Sequence, residues 1–307
     1  MTRYVVRRML LAVPVLVIGC SLIFLVVFAL PGDPITAIGG SKTLPEATRS
    51  AIRAKYHLDQ PIWRQLLRYL ASVAQGDLGE SITTRRSVRS MLAEALPTTA
   101  RLTGVSLVIE ACLGGIAGVV AAASKRRYVD ALVTVSTVAL LAIPTFVLGS
   151  ITQYFLGVRW RLLPVTGLNE GWRSYVLPCG ALAAASIAVV ARLLRVQLID
   201  EFAKPYVRTA RSKGLSTVAT ARHAVRNTLP VVVTFIGFDV ATLFSGAIVV
   251  ETVFNLNGIG ATVGRAISQR DQITIVGFAV FSLAIYVAAG IIVDVVVAML
   301  DPRVRLT

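Results

Sequence analysis

Six stretches of this 307-residue chain are long, apolar and poor in charge: residues 9–30, 102–123, 131–158, about 174–191, 227–250 and about 272–300. A helix needs about 20 apolar residues to cross the hydrocarbon core of a bilayer, and each of these runs meets that requirement. Inside lipid every backbone N–H and C=O must be satisfied within the protein, so runs of this length are expected to be helices. Composition agrees: 55% of residues are hydrophobic and 15% are charged, which excludes an ordinary soluble domain of this size. The sequence therefore predicts an all-α membrane protein with six transmembrane helices.

The first run follows a basic start with Arg3, Arg7 and Arg8. A secretory signal has an apolar core of about 7 to 15 residues and small residues at its cleavage site. Here the longer run ends in Leu30-Pro31-Gly32-Asp33, so a retained anchor is expected. Pro144 interrupts the third run, and neighbouring helices are expected to accommodate it within one span.

The net charge of +15 and pI near 10.6 would suit a nucleic-acid binder, but the basic residues are concentrated in the short connections between apolar runs. With the amino terminus inside, the two tails and the Lys125 and Arg192-to-Arg226 connections place sixteen Lys and Arg on one side. The short connections on the other side hold Arg159, Arg161, Arg173, Arg265 and Arg270. That asymmetry predicts a multi-pass protein with both termini cytoplasmic.

Four segments are expected. Residues 1–30 form the cytoplasmic amino terminus and first span; 31–97 an external helical region; 98–300 a five-helix core with a cytoplasmic loop at 204–230; and 301–307 a cytoplasmic tail. In the external region Pro45 and Pro61 stand where helices start. After Pro61, Ile62, Trp63, Leu66, Leu67, Leu70 and Val73 recur at helical spacing, with Gly76 as a stop. Such a cap has too little apolar surface to fold alone and must pack on the membrane helices or on a partner.

Catalytic signatures are missing. The chain has no G-x-x-x-x-G-K-[ST] loop, no HExxH and no Ser/His/Asp grouping. His57 and His223 stand on opposite sides of the predicted membrane, without the neighbours a metal site or proton relay requires. Cys20, Cys112 and Cys179 lie in apolar runs without CxxC spacing and read as small hydrophobes. No catalytic residue, metal or bound cofactor is expected, so energy for transport has to come from a gradient or another polypeptide. Glu110, Asp239 and Asp294 are carboxylates within the apolar runs. Intramembrane carboxylates are functional candidates by default. Asp239 is the best candidate for a polar pathway, whereas Glu110 is expected to bond Ser106 or Thr103 along its own helix or a group on a neighbouring helix.

The loop at 204–230 is patterned. It carries Lys204, Arg208, Arg211, Lys213, Arg222 and Arg226 and no acidic residue. Pro205 can start a short helix of two to three turns, and Gly214 can end it or permit a close backbone approach. Ser216 can cap a second helix running to Pro230.

The run Tyr206-Val207-Arg208-Thr209-Ala210-Arg211-Ser212-Lys213-Gly214-Leu215, followed by His223-Ala224, Arg226-Asn227 and Leu229-Pro230, resembles the EAA loop of permease subunits in ABC importers. It is most similar to the dipeptide, oligopeptide and nickel branch. Matching strings cover nearly the whole chain: Arg7-Arg8, Pro31-Gly32-Asp33-Pro34, Leu58-Asp59-Gln60-Pro61, Gly76 through Ser81, Glu251-Thr252-Val253-Phe254 with Gly258-Ile259-Gly260, and Asp301-Pro302-Arg303-Val304-Arg305. One departure is that the consensus Glu-Ala-Ala is here Arg208-Thr209-Ala210.

The resemblance implies a type I ABC importer permease fold in the bacterial inner membrane. The chain would pair with a second homologous permease and dock on two ATP-binding cassette subunits that carry ATP and Mg. An extracytoplasmic binding protein would hand over peptides or a related small solute. Docking would fall to Pro205, Tyr206, Arg208, Thr209, Ala210, Arg211, Gly214 and Leu215. A self-contained secondary transporter or channel would explain six helices and Asp239 but not the patterned loop. A membrane-embedded enzyme finds no nucleophile with a base. Substrate identity is not written in these residues.

Overall fold

The computed structural model describes residues 2–29, 45–56, 59–124 and 127–300. The strings at Pro31–Pro34 and Asp301–Arg305, together with His57, Leu58, Lys125 and Arg126, lie outside the described residues. Among the described residues the chain is helical. In order they form α1 (Thr2–Ala29), α2 (Glu46–Lys55), α3 (Ile62–Ala74) and α4 (Val88–Ile109); a π turn (Glu110–Gly114), α5 (Gly115–Ala123), α6 (Arg127–Ala142) and α7 (Thr145–Thr152); and a second π segment (Gln153–Arg159), α8 (Arg173–Ala203), α9 (Pro205–Ser212), α10 (Thr217–Val253), α11 (Ile259–Ser268) and α12 (Gln272–Leu300). The chain divides into two compact units, Met1–Thr99 with Asn257–Ala288, and Ala100–Leu256 with Ala289–Thr307.

In the first unit, Pro45 and Pro61 immediately precede α2 and α3, and Gly76 follows α3 in the left-handed conformation at φ +81°. Of the apolar stripe read from the sequence, Leu66, Leu70 and Val73 pack, together with Tyr69, against Phe24 and Val27 of α1 and Val276 and Val280 of α12, whereas Ile62, Trp63 and Leu67 are exposed. This cap packs on membrane helices, as its spacing predicts. A buried polar knot was not evident from the sequence. Ser81 Oγ and Thr274 Oγ1 donate to Asp271 Oδ2 at 2.5 and 2.8 Å, and all three side chains are buried.

The second unit is built around α8, the most enclosed of the spans. Small buried residues, Ala181, Ala183, Ala184, Ala188 and Ala191, line it and let neighbours approach closely. A Cβ on Gly118 of α5 would lie 2.7 Å from the Ala191 carbonyl oxygen, so this approach is available only to glycine. Leu177 and Leu182 of α8 join Leu102 of α4 and Leu243, Val250 and Phe254 of α10 in one apolar core.

Among the described residues five helices are long and apolar enough to span a membrane, and a bent pair makes up to six. The bent pair covers the run expected to form the third span, 131–158, as two helical segments rather than one continuous helix. Segments Tyr128–Ala142 and Thr145–Arg159 meet at 102°. Pro144 has φ −57° and ψ 141°, outside the helical region, and its carbonyl accepts the first bonds of α7 from Val147 and Leu148 at 2.9 and 3.0 Å. Proline lacks an N–H and disfavours helical geometry in the residue before it, and here the chain breaks rather than bends. By contrast Pro97, Pro178 and Pro230 are retained inside α4, α8 and α10.

Pro230 brings a correction. The helix capped by Ser216 does not end there but runs 37 residues to Val253. At 1.5 Å per residue that is about 55 Å, nearly twice a bilayer core of about 30 Å. The fifth span and the second loop helix are therefore one rod.

Candidate functional site

The patterned loop joins α8 to α10 through α9. Lys204 leaves α8 with an extended ψ of 149°, and Pro205 starts α9, whose missing N–H costs nothing in a first turn. The eight residues of α9 make just over two turns, as expected. Its end is a Schellman turn: the Leu215 N–H donates to the Ala210 carbonyl at 3.2 Å, with Gly214 at φ +82°. Nothing lies within 4 Å of where a Gly214 Cβ would stand. The glycine serves the left-handed turn, and within this chain no backbone approaches it closely. Ser216 Oγ then accepts from the Ala219 N–H at 3.2 Å, the predicted cap.

What fixes α9 is an acid just upstream of the loop. Glu201, in the last turn of α8, is buried. Its Oε1 accepts from Tyr206 Oη at 2.7 Å and from Asn227 Nδ2 at 3.0 Å, while Lys204 Nζ pairs with Oε2. Asn227 also donates to Tyr206 Oη at 3.1 Å, closing a triangle among α8, α9 and α10. Burial, and then the bond to Glu201, pushes the Tyr206 phenol up, so it remains a donor at neutral pH. Val207 and Ala224 are fully buried beneath this triangle.

Arg208 and Thr209 are exposed, Ala210 and Leu215 half-buried, and Pro205 and Tyr206 stand at the surface. Thr209 Oγ1 donates back to the Pro205 carbonyl at 3.2 Å. Arg211 lies in the last turn of α9. The structure thus brings the loop residues into one short basic rod across the ends of two long helices. Glu201 lies outside the loop, which itself lacks acids; its signal in the sequence is the Asp200-Glu201 pair upstream of Lys204. A second missed contact steadies the same end of α8: Arg195 forms a two-pronged ion pair with Asp130 of α6, with Nη2 to Oδ2 at 2.6 Å.

Asp239 lies elsewhere in the unit, on α10, and is buried. Glu110 is completely buried, and neither of its oxygens nor Asp239 Oδ2 has a hydrogen-bond partner. The expected bonds from Glu110 along its own helix are not made. Ser106 Oγ donates instead to the Cys179 carbonyl at 3.3 Å, and the Thr103 hydroxyl is unpaired. Asp294 is half-buried near the end of α12. Among the described residues no His, Cys, Asp and Glu cluster has the arrangement of a metal site.

Comparison with known proteins addresses the whole chain. Residues 114–306 match the family described as the binding-protein-dependent transport system inner membrane component, and residues 1–103 match the amino-terminal family of the same components. The glutathione transport system permease protein GsiC of Escherichia coli O6:H1 is 37% identical over 310 aligned residues, covering 99% of each chain. Its counterparts in Escherichia coli K12 and Shigella dysenteriae serotype 1 are 36% identical over the same share. A chain whose described residues are helical, with five to six apolar spans among them, and which is matched over nearly its whole length in this way, is a permease and not an enzyme, and its partners are a separate ATPase and a substrate-binding protein. The protein belongs to the family of multi-pass inner-membrane components of binding-protein-dependent ABC transport systems.

Proposed function

We propose that this permease pairs with a second, homologous permease to form the pathway for a small peptide, with each permease docked on one of two ATPase subunits and both termini in the cytoplasm. The observation that carries the docking role is the Glu201–Tyr206–Asn227 triangle, which ties α9 to the ends of α8 and α10. A short helix cannot stretch without breaking its hydrogen bonds, so a push on α9 is delivered to both long helices. Residues Pro205 to Leu215 would sit in a cleft of the ATPase. Exposed Arg208 would face acidic groups there, and closure of the ATPase pair around ATP would move α8 and α10 and open the pathway outward.

Peptide cargo is supported by the similarity to permeases named for glutathione, itself a tripeptide. Asp239 is the pathway candidate because its Oδ2 is unpaired, leaving an acceptor for a polar or cationic group. The test is Gly214→Val in the reconstituted complex. A β-branched residue resists the left-handed conformation that Gly214 holds, so substrate-stimulated ATP hydrolysis and uptake should be abolished while membrane insertion persists. Unimpaired transport would overturn the docking role.

A further inference from the structure

We propose that the first unit holds a phospholipid at the carboxyl-terminal end of α1, with the acyl chain on α1 and α12 and an amine-bearing headgroup on α3 and the Asp77 turn. A cavity of about 540 Å³ opens there. One wall is apolar: Phe24 and Phe28, stacked at 4.3 Å between ring centroids, with Ile273 and Val276. Both phenylalanines lie in the last turns of a span, so this wall sits where the hydrocarbon core gives way to headgroups.

The other wall is polar and charged in both senses. Arg68 has no ion pair or hydrogen bond among the described residues, and it projects from the same helix as Tyr69. The Tyr69 hydroxyl is shut off from solvent and has no hydrogen-bond partner, although the ring stacks on Phe24 at 5.3 Å. A buried hydroxyl without a partner costs about 1–3 kcal/mol, and a bound phosphate or ester oxygen would relieve it. Acids complete the lining. Asp77 accepts one bond, from the Gly79 N–H at 2.9 Å, and Glu80 is paired with Lys55 at 3.0 Å. A free guanidinium, an unpaired phenol and a carboxylate with spare acceptor capacity match a phosphodiester followed by an ammonium. Lys55 also lines the cavity and neutralises Glu80, so Asp77 is the carboxylate left for the ammonium, and a headgroup without an amine would leave it without a cationic partner.

The outward face of α3 places this cavity in the bilayer boundary. Its inner stripe packs on α1, yet Ile62, Trp63 and Leu67 on the other side are 41%, 54% and 59% exposed. The Arg64 guanidinium lies 5.0 Å from the centroid of the Trp63 ring. A helix apolar on its outer side, with tryptophan beside arginine, has the composition of an element lying at the headgroup level.

The experiment uses the complete transporter in nanodiscs containing phosphatidylethanolamine or phosphatidylglycerol, followed by native mass spectrometry of retained lipid. Phosphatidylethanolamine should be retained, and Arg68→Gln and Tyr69→Phe should each reduce its occupancy at least threefold. Equal or greater retention of phosphatidylglycerol would overturn the headgroup assignment. Retention unaffected by either substitution would overturn the site. With Trp160 and Trp172 replaced by phenylalanine, brominated lipids should quench Trp63; quenching by the binding protein alone would assign the face to protein instead.

Discussion

Two short amphipathic helices, α9 and α3, each ride on the end of a membrane span, and they are held in opposite ways. Helix α9 is latched by polar bonds: a buried carboxylate reaches two partners at 2.7 and 3.0 Å, and the fully buried apolar residue of the helix, Val207, points inward. Helix α3 is held by an apolar stripe against α1 and keeps Trp63 and Leu67 facing out. The difference fits what each is proposed to meet. A directional polar latch transmits a push from a protein partner, whereas an apolar seat tolerates sliding in a fluid boundary.

That contrast breaks most visibly at Glu201. Glu201→Ala removes the acceptor shared by Tyr206 and Asn227 and leaves both donors beneath α9 without it. Hydrogen bonds to a charged group contribute about 1.5–3 kcal/mol each, so α9 should come loose and ATP-driven uptake in proteoliposomes should fall by roughly tenfold or more. Glu201→Gln keeps an oxygen acceptor and should retain most uptake. Equal loss in both variants would mean that charge, rather than the triangle, matters.

Arg208→Glu comes next. The residue is exposed, so detergent-solubilised stability should stay within about 0.5 kcal/mol of the parent while ATPase association weakens. Smaller still is Ser216→Ala, which removes the cap of α10. The expected cost is about 1 kcal/mol, read as a lower midpoint in thermal unfolding with uptake largely preserved. At the other helix, Trp63→Ser should leave stimulated ATP hydrolysis unchanged within error. A coupling defect there would erase the distinction between the two helices.

Much of this was legible in the sequence because it rests on local rules. Hydrophobic run length identified the spans, Pro61 and Gly76 bracket α3, and Pro205, Gly214 and Ser216 punctuate the loop as their backbone chemistry requires. What escaped depended on contacts distant in the chain or on competition between environments. Pro144 breaks a span while Pro230 rides inside one, and run length alone gives no sign of which outcome prevails. Asp130 meets Arg195 across 65 residues, and Ser81 meets Asp271 across 190, separations at which no periodicity signals a pair. Glu201 is the intermediate case. It sits five residues from Tyr206, a local separation, but in the last turn of α8 and outside the basic loop that the sequence punctuates.

The central claim is that α9 meets an ATPase, and a photocrosslinker placed at Arg208 in the assembled transporter tests it most directly. Irradiation should join this chain to the ATPase subunit, with a yield that changes between nucleotide-free and ATP-trapped states. Crosslinks confined to lipid, or to the binding protein, would contradict it.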